Sequence, residues 1–323
     1  MFFTSMKKAA VFATLISAAF AAQSQDYPNK IVKIVVSYPP GGGADIMARL
    51  IAQKLTTSLG QTFVVENKPG ASGQIASQSV AKSPPDGYTL MLDASSYAVN
   101  PSLFPKLPYD TQTAFAPITL LARFPNMLVV SPDFPATSVK ELVAMAKAKP
   151  GSLSYASSGN GSAQHLAGEL FKQQAGVNLQ HVAYKGGGPA MNDVVAGHVP
   201  IFFANMASGL GQVKAGKLKA LASTGAKRSA NMPDLPTMAE AGVPGYEVYE
   251  WNVLVAPAGT PPAIINKLHA EVKKVLEMKD VQERLDALGG EVVASSPAET
   301  GTFLKGQMEK WAKVVKAGDI KVD

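Results

Sequence analysis

Two long extended runs, residues 115–131 and 247–257, constrain this chain more than any other feature. Each is too long, and too rich in apolar and β-branched residues, to be an ordinary loop. Around them, strand and helix signals alternate. Residues 30–37 make a strand with apolar residues on both faces, as a buried parallel strand requires. A helix follows behind Asp45, expected as its N-cap, with Ile46, Leu50, Ile51 and Leu55 at helical spacing. A strand over 62–66, a helix over 73–82 and a strand over 88–93 complete a β-α-β-α-β block. After the first long run the pattern restarts: helix 137–149, strand 153–156, helix 162–175, strand 179–184, helix 189–197, then strands 199–204 and 218–223. Such alternation implies an α/β fold with a mostly parallel, helix-flanked sheet in each block.

A middle block entered and left through extended crossings makes the first lobe discontinuous. The organisation expected is lobe 1 over 23–123, lobe 2 over 124–246, and a return to lobe 1 over 247–323, with helices at 262–288 and 297–318. Two strands joining two lobes form a hinge with a cleft between them. Ligands of open α/β sheets bind beyond the carboxyl ends of the strands, which here face that cleft.

Residues 1–22 stand apart. Lys7 and Lys8 precede a short apolar core over 9–20, and Ala19-Phe20-Ala21 fits an A-x-A cleavage pattern. That order is a secretory signal peptide, which predicts an exported, periplasmic protein. Without the two signal lysines the formal charge falls from +6 to +4. The remaining Lys and Arg are scattered, which argues against nucleic acid and suits small anions. The chain has no cysteine, so thiol catalysis and zinc–thiolate sites are excluded.

The bend in IVVSYPPGGGADIMARL joins the first strand to its helix. Pro39 and Pro40 stop pairing, while Gly41, Gly42 and Gly43 permit positive φ and close backbone approach. Free N–H groups at the helix start attract anions. The loop lacks the third glycine of a dinucleotide fingerprint and the Lys-Ser/Thr of a P-loop. Taken alone, a ligand-free tight turn and an anion site are equally good readings. A second strand–glycine–helix turn, SYASSGNGSAQHLAGELFK, places Ser157, Ser158, Gly159, Asn160, Gly161 and Ser162 at the other lobe. One such loop per lobe, across a cleft, favours a carboxylate held by amides and hydroxyls. A third turn, Tyr184-Lys185-Gly186, could close over it, although Lys185 also suits a solvated surface loop.

Other motifs fail. GQVKAGKL has P-loop spacing, but Leu218 replaces the metal-binding hydroxyl. The histidines at 165, 181, 198 and 269 show no metal-ligand spacing, and no cofactor is implied. A rival reading is a periplasmic serine hydrolase that pairs Ser158 or Ser162 with His165, within the loop from Ser157 to His165. Trp251 lies in the return crossing, where a cleft floor or a hinge-packing aromatic is expected.

Eight blocks occur in order: YPPGGGADIMARLIAQKL, VVENKPGASGQIA, PPDGYTLML, SSGNGSAQHLAGELFK, YKGGGPAMNDVVAGHV, GKLKALASTGAKR, LPTMAEAGVPGYE and VAPAGTPPAII. Together they resemble the periplasmic receptors of tripartite tricarboxylate transporters, the Bug (TctC-type) family, over essentially the whole mature chain. The resemblance implies a two-lobed, venus-flytrap periplasmic-binding-protein fold. It also implies a non-enzymatic, monomeric solute receptor whose partners are an organic acid and membrane permease subunits. Family members hold a ligand carboxylate largely through backbone amides. By position, that assigns Tyr38, Pro40, Gly41, Gly42, Gly43 and Asp45 to the first loop. Ser157 to Ser162 with His165 form the second, and Tyr184, Lys185 and Gly186 complete the pocket, with Ser95, Asn205 and Trp251 beside it. Where many relatives have an Asp-Asn pair, this chain has Ala204 and Asn205. The missing carboxylate, with Asp45 expected to be used as a cap, points to a ligand without an ammonium group.

Overall fold

The computed structural model describes residues 27–321, so the signal segment lies outside the described residues. The chain runs through β1 (Val32–Val36), α1 (Gly43–Leu59), β2 (Phe63–Asn67), α2 (Gln74–Ala81), β3 (Thr89–Asp93), α3 (Ser96–Leu103) and β4 (Phe115–Val130). It continues through α4 (Val139–Ala148), β5 (Ser154–Ser157), α5 (Ala163–Ala175), β6 (Gln180–Ala183), α6 (Gly187–Val195), β7 (Ile201–Asn205), α7 (Met206–Lys214) and β8 (Lys219–Ser223). It closes with β9 (Tyr249–Pro257), α8 (Pro262–Leu276), α9 (Lys279–Ala287), β10 (Glu291–Val292) and α10 (Pro297–Ala317).

Both long runs are strands, and β4 belongs to two sheets. Up to Pro125 it pairs antiparallel with β9; from Asn126 it pairs antiparallel with β7 and β8. The first sheet has a parallel core, β2-β1-β3, with β9, β4 and β10 added antiparallel. The second has a parallel core, β6-β5-β7, with β4 and β8 added antiparallel. Proline at 125 withdraws one backbone donor where the strand changes partners. The Thr224 hydroxyl fills the gap. It accepts from Asn126 N–H at 2.7 Å and donates to Val248 O at 2.7 Å, tying both crossings together.

Burial follows the pattern in the sequence. On β1, Val32, Ile34 and Val36 pack with Ile51 and Leu55 of α1, while Val35 joins a different core on the opposite face. That second core is continuous across both sheets. It contains Tyr97 and Leu103 of α3, Leu128 of β4, Leu166 and Phe171 of α5, and Trp311 of α10. The terminal helix α10 starts at a capping box, Ser296 with Glu299, and lies against α3 on one side and α5 on the other. Two helices, α3 and α7, go beyond the elements expected from sequence. Pro101 interrupts the helical signal of α3, and its packing against α10 stabilises it instead.

Candidate functional site

The carboxyl ends of the parallel strands in both sheets open onto one cleft of about 1170 Å³. Its first wall is the loop after β1. The first hydrogen bond within α1 runs from Ile46 N–H to Gly42 O at 2.9 Å, so the amides of Gly43, Ala44 and Asp45 stand outside the ladder. Tyr38, Pro40, Gly41, Gly42 and Gly43 all line the cleft. Gly42, at φ −80°, is the extended N-cap, and Gly41 alone of the three takes positive φ, at 82°.

Asp45 is therefore not the cap. It sits in the first turn with its side chain turned away from the cleft, among Gly41, Arg49 and Asn67. Its carboxylate accepts from Gly41 N–H at 2.9 Å, Arg49 Nε at 3.0 Å and Asn67 Nδ2 at 2.9 Å. The Arg49 bond first, then those from Gly41 and Asn67, hold its carboxyl at about 2 against the cost of burial. Arg49 also neutralises the charge that would otherwise repel an anion at the helix start. Beneath the wall lies Asp93, which sequence inspection did not single out. It accepts from Ser37 Oγ at 2.6 Å, Ser96 Oγ at 2.9 Å and Ala94 N–H at 2.8 Å, while Ser96 meets the Tyr38 hydroxyl at 2.9 Å. Burial raises the Asp93 carboxyl. Ser95 lines the cleft beside this network.

The second wall is the loop between β5 and α5. Ser162 caps α5 by accepting His165 N–H at 3.2 Å, and Leu166 N–H closes the first turn onto Ser162 O. Ser158, Gly159, Asn160, Gly161 and Ser162 face the cleft, and so do Lys185 and Gly186 of the third turn. Gly186 N–H to Ser158 O, at 3.1 Å, ties the third turn to the second loop. Ser157, His165 and Tyr184 lie behind this wall rather than on it. Ser157 is fully buried and 2.6 Å from His181 Nε2; His165 stacks on His181 with ring centres 3.8 Å apart. Tyr184 donates to Asp193 at 2.6 Å. Ser157 and Tyr184 sit behind because β5 and β6 alternate their faces, so residues next to a cleft residue in sequence point the other way. His165, on α5, is held behind by Gly161 N–H and the His181 ring.

The hydrolase arrangement is not formed. His165 Nδ1 is occupied by Gly161 N–H at 3.0 Å, and Ser158 Oγ donates to Gln164 Oε1 at 2.6 Å. Burial pushes both His165 and His181 down to about 4, so each is neutral at neutral pH. Among the described residues, no group of three or more His, Asp or Glu side chains is placed to hold a metal ion, and no helix is long and apolar enough to cross a membrane.

The floor is made by the crossings. Trp251 lines it while also packing edge-on against Phe303, so it serves both expected roles. Beside it stands Glu250, the residue sequence reasoning missed. The expectation of a cleft without a carboxylate to accept an ammonium group is corrected. Asp45 points away, and Glu250 lines the cleft, accepting from Gln164 Nε2 at 2.6 Å and Asn205 Nδ2 at 2.9 Å. Burial lifts its carboxyl to about 7, opposed by the Asn205 and Asn126 amides. Ala204 is fully buried in the core under β7, on the face opposite Asn205. A carboxylate at position 204 would not enter the cleft, so Ala204 carries no information about the ligand. An acidic residue set between two aromatic residues of an otherwise apolar crossing, Tyr249 and Trp251, was the available signal.

Two sheets bridged by shared strands, with helix starts facing each other across a cleft, define a venus-flytrap solute-binding protein. Residues 47–320 match the family described as the tripartite tricarboxylate transporter family receptor, and the chain belongs to that family of periplasmic receptors. Protein BugT of Bordetella pertussis is 37% identical over 97% of this chain and 96% of its own length. A Rhodopseudomonas palustris protein solved with adipate superposes at a TM-score of 0.83, with 38% identity over 92% of this chain and 99% of that one. MatC of the same organism, with bound malate, gives 0.79 and 33% identity over 90% of this chain and 100% of that one.

Proposed function

We propose that this chain is exported through its N-terminal signal segment and captures a small organic carboxylate between its two lobes. It then presents that ligand to the membrane subunits of a tripartite transporter, acting as a monomer and without chemical change to its cargo. The observation that carries this reading is the pair of helix starts, at Gly43 and Ala163, on opposite walls of one cleft. Backbone amides there supply several aligned donors to an anion with little help from cationic side chains. The adipate and malate found in relatives support a carboxylate of that size. Ligand contacts are assigned to the cleft-facing residues of both loops, with Lys185, Asn205 and Trp251. Ser157, His165, Tyr184 and Asp45 are assigned to holding those loops in place. Lobe boundaries are assigned to the pairing switch on β4 and to the start of β9, the two crossings between the sheets among the described residues.

Calorimetric titration with four- to six-carbon mono- and dicarboxylates tests this directly. The expected result is saturable binding at one site per chain, with no turnover of the corresponding esters. Ester hydrolysis lost on replacing Ser158 would overturn the receptor reading.

A further inference from the structure

Glu250 is a carboxylate on the cleft floor with no cation assigned to it. The two amides that touch it are each fixed from behind. Gln164 Oε1 already accepts from Ser158 Oγ at 2.6 Å, and Asn205 Oδ1 accepts Ala207 N–H at 2.9 Å while capping α7. Their acceptor ends being taken, both amides can only offer N–H to Glu250, one to each oxygen. The arrangement holds Glu250 as an acceptor and leaves lone pairs for another donor.

No such donor is a protein cation. Among the described residues lining the cleft, Lys185 is the only positively charged one; it is exposed on the third turn and makes no salt bridge. The remaining titratable group in the neighbourhood is the Tyr38 phenol from the first loop, which burial and the charges of Asp93 and Glu250 keep protonated. Asn126, on the adjoining strand β4, is fully buried; its amide lies near enough to Glu250 to draw the carboxyl down but does not reach hydrogen-bond geometry. A carboxylate half-buried at the cleft surface with no counter-charge is stabilised when a donor arrives.

We propose that Glu250 determines ligand specificity by receiving an N–H donor, ammonium or amide, at the end of the ligand opposite the carboxylate held by the glycine loops. The cleft is thus polarised, with amide donors on its walls and a committed acceptor on its floor. This rests on the carboxylate-receptor reading above and narrows it to amino- or amido-carboxylates over dicarboxylates. It reverses the expectation, drawn from Ala204 and Asn205, of a ligand without an ammonium group.

The test uses matched four- and six-carbon sets: the plain monocarboxylate, the dicarboxylate, its monoamide and the ω-amino acid. Each is titrated at pH 8 into the mature protein and into Glu250→Gln. Expected for the native protein is binding of the amine- or amide-ended acid roughly tenfold tighter than the dicarboxylate of equal length. Glu250→Gln should remove that preference, and circular dichroism with a cooperative thermal transition shows independently that the variant is folded. A dicarboxylate that binds as tightly as its nitrogen-ended partners, with a ratio unmoved by the substitution, overturns the proposal alone. Failure of every acid to bind overturns the carboxylate reading as well.

Discussion

Gly161 concentrates several demands at one Cα. Its φ is 74°, its N–H is given to His165, and a Cβ there would lie 2.5 Å from Leu103 Cδ1 of α3. Gly161→Ala should therefore cost about 1–3 kcal/mol in denaturant unfolding and weaken ligand binding at least about tenfold. Lys185→Ala, by contrast, removes an exposed cation and should cost less than about fivefold in affinity. Glu250 and Asp45 make opposite pH predictions. Glu250 is raised in the folded state to about 7 from 4.5, so its contribution to stability is present below pH 4.5 and lost as pH rises through 7. Without ligand, Glu250→Gln should be more stable than the native protein at pH 8, by about 1–2 kcal/mol, and equal to it near pH 4. Asp45 is lowered to about 2 from 3.8, so its contribution is present above pH 3.8 and lost as pH falls through 2. Asp45→Asn should lower the urea midpoint at pH 7, and the difference should close below pH 3.8.

At the scale of elements, each loop derives its shape from the strand before it and the helix after it. The first is pinned by Asp45 and Asn67, the second by the Ser162 cap and the His165 ring. Of these, Asp45, Asn67 and His165 do not line the cleft, so chemically suggestive side chains stand behind the walls. The element most exposed to a single change is the β4 crossing. Its partner exchange at Pro125 and Asn126 depends on one buried hydroxyl, that of Thr224. Thr224→Val keeps the shape and deletes the bonds, leaving Asn126 N–H and Val248 O unmatched. Chemical denaturation should show a loss of about 1–3 kcal/mol.

For the whole molecule, two structural facts pull in different directions. The strands β4 and β9 are the crossings between sheets, as a hinge requires, yet α10 and one continuous core bind both sheets together. Unfolding should accordingly be a single cooperative event, with calorimetric and van't Hoff enthalpies in agreement. Two separate transitions would contradict the shared core. Closure on ligand is expected to be a small rotation about the crossings rather than a wide swing. Small-angle scattering should report a modest fall in radius of gyration on adding a bound acid, and no change would exclude closure.

Much of this protein was determined by local sequence alone. Apolar faces at strand and helix period, proline and glycine stops, and two long extended runs are read by the chain within a few residues of each other. They place β1, β4, β9, α1 and α5, and with them the two glycine loops that face the cleft. Tertiary structure decided what no local pattern holds, because it depends on which face of an element meets which neighbour. It turned Asp45 toward Asn67, set Ser157 against His181, buried Ala204 and stabilised α3 by laying α10 over it. It also brought Glu250, Gln164 and Asn205, far apart along the chain, to one point on the cleft floor. The charge of that carboxylate is written in the sequence; its isolation from any cation exists only once the sheets are assembled.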